Sequence, residues 1–471
     1  MQGDQYVLGM VGLGVMGRNL LLNMADHNFK VAGYDKDASK VEALSTEKVK
    51  GEVKGFTSLQ EFIGSLSKPR AVMLLVPAGK IVDSAIAEIT PLLDKGDLII
   101  DGGNSHFMDT NRRAEELEAK GLHFFGMGVS GGEEGARNGP SMMPGGDPNA
   151  YKVVQPIFEA IAAKVNGEPC VTYIGPGSSG NFVKTVHNGI EYAIMQLIAE
   201  TYEVMRKGLG LTGEQMHDTF RGWNEGRLQS FLIEITRDIF AYKEPGSSQL
   251  LLDSIKDEAK SKGTGKWTSQ VAMDLQLPIT AIDTAVSMRD LSKYKAIRTQ
   301  AAKLYADNGL KLSVDQAKFI QALEEALYFT TVIAYAQGMH LLSQASKEYG
   351  YNLQLANIAL IWRGGCIIRS TFLQSIHNAY KKDNTLPHLL LDADIAAQMK
   401  GALSGMRQVV SAATATGISV PAFAASLSYF DAIRSEHMPS NLIQAQRDFF
   451  GAHTYELIGK EGVFHTQWTK K

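Results

Sequence analysis

Five polar side chains in one short stretch hold the most chemistry per residue in this chain. In residues 181–195, NFVKTVHNGIEYAIM, Lys184, His187, Asn188, Glu191 and Tyr192 stand at positions i, i+3, i+4, i+7 and i+8. That spacing puts them on one face of a helix. Phe182, Val183, Val186, Ile190, Ala193, Ile194 and Met195 fill other positions, so the helix is apolar nearly all round, the pattern of a buried helix. An amine, an imidazole, an amide, a carboxyl and a phenol in a row can donate, accept and relay protons. Inside a protein they are costly unless they pair or bind something. The stripe reads either as the wet face of a helix or as a site.

A second constellation lies at the N-terminus. Residues 6–11 form an apolar run that enters Gly12, Leu13, Gly14, Val15, Met16 and Gly17, and an amphipathic segment follows over 18–27. This is G-x-G-x-x-G between a strand and a helix. Glycines there allow a tight turn and let a pyrophosphate approach the helix N-terminus. Residues 30–34 read as a second strand, closed by Asp35, 18 residues after Gly17. An acidic residue in that place can accept hydrogen bonds from an adenosine ribose; the other reading is a turn residue. Further strands are expected at 71–76, 98–101 and 124–127, with helical stretches between them. Residues 1–178 therefore read as an α/β, Rossmann-type, doubly wound parallel sheet with ligands beyond its C-terminal strand ends. Two of those ends are informative. Asp101-Gly102-Gly103-Asn104-Ser105 would bring the Asn104 amide near a cofactor or substrate. Gly128-Val129-Ser130-Gly131-Gly132 offers a hydroxyl and backbone N–H groups to an anion. Taken alone, each is first of all a structural glycine turn.

The elements that must position these groups follow from length and pattern. A chain of 471 residues is too long for one core and implies two or three domains. Small residues and Pro176 over 175–180 suggest a boundary. Past it strand signals nearly vanish, and long apolar, alanine-rich segments such as 319–342 and 395–415 make 179–436 an all-helical domain. The run from Phe319 repeats the apolar pattern of the run from Phe182, with Gln321, Glu324, Glu325, Tyr328 and Phe329 in place of the five polar residues. It is either a weak internal repeat or a chance match of two apolar helices. Lys262 and Lys266 among the glycines of SKGTGKW suit a phosphate or carboxylate, as does Arg289, although a solvated surface role is the default for each. The tail, 437–471, is aromatic with little helical period. It should pack on something, such as a second subunit.

Composition excludes several classes. The net charge of -3 gives no argument for nucleic acid. No run of about 18 apolar residues points to a membrane span, and the N-terminus does not read as a signal peptide. Cys170 and Cys366 lack metal-ligand spacing, no His/Cys/Asp cluster suggests a metal, and so few cysteines favour a reducing cytoplasm.

Five blocks, IIDGGNSHF, GVSGGEEGARNGPSMMPGG, FVKTVHNGIEY, KGTGKWT and RDFFGAHTY, are far more specific than the glycine fingerprint. Through them the chain resembles the decarboxylating 6-phosphogluconate dehydrogenase family of the pentose phosphate pathway, essentially end to end. The resemblance implies a coenzyme domain, a large helical domain and a tail that threads into the partner of a homodimer. It implies oxidative decarboxylation of 6-phospho-D-gluconate to D-ribulose 5-phosphate with NADP or NAD. Carried over, Lys184 is the general base and Glu191 the acid. Asn104, Ser130, Gly131, Gly132, His187, Asn188, Tyr192, Lys262 and Arg289 contact the substrate, and Arg447 and His453 of each chain reach the substrate held by the other. Residues 12–17, Asp35, Lys36, Asp37, Val76, Pro77, Ala78 and Asn104 hold the coenzyme.

The coenzyme loops depart from the family pattern. An Asn-Arg-Thr type segment usually receives the 2′-phosphate of NADP; here it is Asp35-Lys36-Asp37. A carboxylate at Asp35 repels that phosphate and favours a free 2′-hydroxyl. Many members also carry alanine where Gly14 stands, and a lysine or another polar residue where Pro77 stands. NAD preference or dual use is expected, with Lys36 keeping NADP open. Two rivals are a shorter-substrate 3-hydroxyacid dehydrogenase of the same superfamily and a non-enzymatic dinucleotide-binding protein. The long helical domain, the lysine loop and the tail argue against the first. The intact catalytic positions argue against the second.

Overall fold

The computed structural model describes residues 5–305 and 311–469. Seven strands form one sheet in the order β3-β2-β1-β4-β5-β6-β7. They are β1 Leu8–Val11, β2 Lys30–Tyr34, β3 Glu52–Phe56, β4 Ala71–Leu74, β5 Leu98–Asp101, β6 His123–Ser130 and β7 Ser141–Gly146. β1, β4 and β5 are buried along their whole length, which is why they read as unbroken apolar runs. The helices among and after them are α1 Val15–Asp26, α2 Ala38–Ser45, α3 Leu59–Gly64, α4 Lys80–Ile89, α5 Phe107–Glu118, α6 Gly132–Asn138, α7 Pro148–Ile161 and α8 Ser179–Glu203. Leu20, Leu21 and Met24 of α1 pack with Phe158 and Ile161 of α7 on one face of the sheet. Phe62 and Ile63 of α3 pack with Val82 and Ile86 of α4 on the other.

The expectation of a wholly parallel sheet is corrected at one edge. β1 to β6 are parallel, but β7 runs antiparallel to β6. Its sequence, SMMPGG, looks like a turn because of the proline and glycines. Those glycines instead let α8 lie against the strand: a Cβ on Gly145 would fall 2.2 Å from the Gly180 nitrogen. β3 also escaped the sequence reading. It is an edge strand whose Glu52 and Lys54 hide the apolar alternation, as charged residues on sheet edges do.

β1 pairs with both β2 and β4: the chain runs outward from β1 through β2 to β3, then returns to lay β4 on the other edge of β1. The crevice beyond the C-terminal ends of β1 and β4 is the switch point at which such sheets bind ligands.

α8 is about 37 Å long at 1.5 Å per residue. Every residue from Ser179 to Ile190 is buried. One side rests on glycines of the sheet. A Cβ on Gly126 would fall 1.7 Å from Asn181 Oδ1, and one on Gly128 2.4 Å from Lys184 Cβ. The helix Gln316–Glu348 covers another side, where Gly338 leaves room for Ile190. At its far end the Glu200 carboxylate accepts the Ala422 and Phe423 N–H groups, tying α8 to the start of the helix Pro421–Ile433. Among the described residues no helix is long and apolar enough to cross a membrane.

The tail has more structure than its sequence suggests. The helix Ser440–Gly451 is followed by a hairpin of strands Tyr455–Leu457 and Lys460–Phe464. Both fold around the fully buried Asp448, which accepts hydrogen bonds from the Thr454 and Thr466 N–H groups and from Trp468 Nε1. The helix was missed because its apolar residues do not face the chain's own core: Leu442, Ile443, Phe449 and Phe450 are exposed.

Candidate active site

The five-residue stripe lies inside the molecule. Lys184, His187, Asn188 and Tyr192 are buried, and Glu191 is nearly so. The wet-face reading therefore falls, and the polar groups must satisfy one another or a ligand. His187 Nδ1 lies 3.0 Å from Asn188 Oδ1, and Nε2 lies 3.3 Å from Ser130 Oγ at the end of β6. Burial, reinforced by the Lys184 charge, holds the imidazole well below its ordinary pKa, so it is neutral. One arrangement satisfies both contacts: Nδ1–H donates to the Asn188 carbonyl and Nε2 accepts the Ser130 hydroxyl. Trp362 presents an edge-on ring to the same imidazole at 5.5 Å.

Lys184 Nζ sits 3.4 Å from His187 Nδ1. Burial lowers the pKa of its amine, and the charge of Glu191 opposes this only in part. Burial raises the carboxyl of Glu191, against the pull of Lys184 and Arg289. The two groups are thus displaced in opposite directions on one helical face, about 10 Å apart along the axis. The lysine is driven towards its basic form and the carboxyl towards its acidic one, the condition for dividing base and acid roles between neighbours.

Neighbouring segments complete the face. The lysine-loop sequence is in part helical: Gly263, at φ +102°, caps the helix Thr264–Asp274. A Cβ on Gly265 would strike the Tyr192 ring at 2.4 Å, and one on Gly189 would strike Thr268 at 2.6 Å, so this helix approaches α8 closely. Lys262 lies just before it and is exposed. The Arg289 guanidinium stacks on the Tyr192 ring, 3.6 Å from its centroid, an arrangement favourable to both. Gly131 adopts φ +110°, and a Cβ there would meet the Gly365 carbonyl at 2.6 Å; Gly132 opens α6 with space around it.

The glycine fingerprint lies at the switch point. Gly12 has φ +96°, and a Cβ on it would meet the Leu75 carbonyl, just past β4, at 2.6 Å. Gly14 is the N-cap of α1 with nothing within 4 Å of a built Cβ. The first turn of α1 has no capping side chain and no acidic residue, so no side chain of the protein takes up its N–H groups. These features fit the pyrophosphate of a dinucleotide. Val76, Pro77 and Ala78 follow β4 on the opposite lip. Beside them a cavity of about 200 Å³ is lined by Gly12, Tyr34, Asp35, Lys36, Val76 and α4 residues. Asp35 accepts the Leu13 N–H through Oδ2 at 2.8 Å and the Asp37 N–H through Oδ1 at 2.9 Å. It therefore fixes the glycine loop as well as offering its remaining lone pairs.

Asn104 is exposed at the end of β5, and its neighbours hold the turn. Gly103 N and Ser105 Oγ donate to Asp101. Arg113 of α5, only 1% exposed, donates to Asp101, Ser105, Asp83 and the Gly79 carbonyl. It joins the Asn104 turn to the loop after β4. Sequence reasoning missed it, because NRRAEE on an amphipathic helix resembles a solvated face.

The tail residues stand apart. Arg447 is exposed and donates to Gln444, and His453 is exposed with its ring edge against Phe450. The positions on the helix Gln316–Glu348 that match the stripe serve packing: Glu324 pairs with Arg227, Glu325 accepts from Gly405 N, and Tyr328 donates to Gln398.

Comparison with known proteins bears on the whole chain. Residues 180–468 match the model of the 6-phosphogluconate dehydrogenase C-terminal domain, and residues 7–175 that of the NAD binding domain of 6-phosphogluconate dehydrogenase. The NADP(+)-dependent, decarboxylating 6-phosphogluconate dehydrogenase of Bacillus subtilis is 47% identical over 98% of this chain and 99% of its own. The Schizosaccharomyces pombe decarboxylating enzyme is 49% identical, covering 98% and 96%. The Plasmodium falciparum 6-phosphogluconate dehydrogenase, described in its apo form and in complexes with NADP+ and with 6-phosphogluconate, superposes with a TM-score of 0.95. It is 44% identical, over 98% of this chain and 100% of that one.

Proposed function

The chain belongs to the 6-phosphogluconate dehydrogenase family, and from that premise we propose that Lys184 and Glu191 carry the proton transfers of its oxidative decarboxylation. The enzyme converts 6-phospho-D-gluconate to D-ribulose 5-phosphate and carbon dioxide. A bound nicotinamide dinucleotide supplies the acceptor for the hydride that leaves C3. The neutral Lys184 amine takes the C3 hydroxyl proton, which leaves a 3-keto acid. The C1–C2 bond then breaks, carbon dioxide departs, and the electron pair moves towards the C3 carbonyl. Protonated Lys184 donates a hydrogen bond to that oxygen and returns its proton as the enediol forms. Glu191 protonates the carbon that lost carbon dioxide while Lys184 takes the proton of the C3 hydroxyl back, and the enediol becomes the ketose. The supporting observation is the opposed shift of the two groups on one buried face.

Asn104, Ser130, Gly131, Gly132, His187, Asn188 and Tyr192 are proposed to hold the sugar acid, with Lys262 and Arg289 answering its anionic ends. For the coenzyme we propose NAD preference or dual use, supported by the Asp35 carboxylate beside the cavity. The test is kcat/KM for 6-phosphogluconate with NAD and NADP in turn, following carbon dioxide release. NAD is expected to serve at least as well as NADP. A strong NADP preference rejects the coenzyme reading, and no turnover with either rejects the reaction.

The exposed apolar residues of the tail helix support a homodimer in which each tail completes the other chain's site through Arg447 and His453. Co-expression of Lys184→Ala and Arg447→Ala chains, each inactive alone, should restore about a quarter of the native activity, because mixed dimers hold one intact site. No recovery in proven mixed dimers removes the exchange.

A further inference from the structure

The cavity beside the glycine loop has a second acidic wall that neither the fingerprint nor the family motifs assign. Glu88 lies in the last turn of α4, across the cavity from Asp35 and Lys36. Its Oε1 accepts from Lys36 Nζ at 2.7 Å, so the pair spans the mouth. The other nearby lysine, Lys40, lies 3.4 Å from Asp35 and 4.0 Å from Asp37. Asp37 itself accepts from the N–H and hydroxyl of Ser39 at the start of α2. Two carboxylates, Asp35 and Glu88, thus line this cavity with Lys36, a third, Asp37, follows Lys36 in sequence, and neither lysine is free of an acidic neighbour.

We infer that Glu88 is a specificity-determining residue for the coenzyme, which discriminates against a 2′-phosphate by drawing Lys36 across the cavity and adding a carboxylate to its rim. This rests on the coenzyme's adenosine end lying in that cavity beside Asp35, as proposed above. A 2′-hydroxyl needs only an acceptor, and Asp35 provides one. A 2′-phosphate needs an uncompensated cation, and here must compete with Glu88 for Lys36 while being repelled by the three carboxylates. The Lys36–Glu88 pair is exposed, so its grip is modest and NADP is disfavoured, not shut out. The residue lies 53 positions after Asp35, and only the fold brings the two to one cavity.

The test separates the 2′-phosphate from the rest of the coenzyme. Binding of 2′,5′-ADP and of 5′-AMP is measured calorimetrically on the native protein and on Glu88→Gln. The substitution should raise the affinity for 2′,5′-ADP relative to 5′-AMP by about 3- to 10-fold, the scale of one screened charge and one released lysine, and the gain should shrink in high salt. Turnover should follow, with the NADP-to-NAD ratio of kcat/KM rising by a similar factor. If Glu88 merely packs α4, both ligands change together and the ratio stays put, which overturns the inference. That failure differs from failure of the Asp35 reading, which shows as strong NADP preference in the native enzyme whatever Glu88→Gln does.

Discussion

Lys184→Ala is expected to lower kcat for 6-phosphogluconate by about 10²- to 10⁴-fold, the range of a lost general base, while the coenzyme binds nearly as before. Lys184→Arg is the sharper variant. It keeps the positive charge but cannot give up its proton. If the lysine is the base, Arg fails as badly as Ala; an active Arg variant would reduce the lysine to a cation that holds substrate. The pH profile gives an independent reading. Burial moves the amine below its ordinary value of 10.5, so its basic form accumulates at lower pH than for a free lysine. In the native enzyme kcat/KM should climb with pH as Lys184 loses its proton, and the residual rate of the Ala variant should lack that limb.

Arg113→Met is expected to lower stability by about 3–5 kcal/mol, read as the shift in urea midpoint, because it strands the fully buried Asp101 without its cation. The sign of the pH effect follows from Asp101. Burial raises its carboxyl, while Ser105 and Arg113 pull it down. Without the arginine the carboxyl rises further and binds a proton in the folded state that the unfolded chain has released. Stability of the variant then falls as pH rises through that interval, so its deficit is smallest in acid. The double variant with Asp101→Asn should lose less than the sum of the two single losses. A coenzyme KM that rises with Arg113→Met would reflect the slackened Gly79 loop and Asn104 turn. A deficit under about 1 kcal/mol at neutral pH would show that the buried pair contributes little.

Much of this arrangement was legible because it depends on local rules. The apolar runs at β1, β2 and β5 are buried strands, the glycine turn follows the first of them, and the stripe on α8 keeps helical spacing. What stayed hidden depends on distant partners. β7 reads as a turn until α8 is laid on its glycines. The tail helix shows no stripe because its apolar side chains have no partner within the chain. Arg113 resembles its exposed neighbour Arg112, and only the crossing of α5 over the ends of β4 and β5 buries it. The electrostatic state of Lys184 and Glu191 was equally out of reach, since burial sets it and burial belongs to the fold.

The glycine contacts between α8 and the sheet bear on motion. Where a backbone meets a backbone, no side chain can change rotamer to let the halves slide. Asn181 also bonds across the seam to Thr110 and to the Gly103 carbonyl. Contacts this close are expected to resist sliding of α8 over β6 and β7. A side chain added at Gly126, Gly145 or Gly180 would therefore wedge α8 off the sheet and carry the whole polar stripe with it.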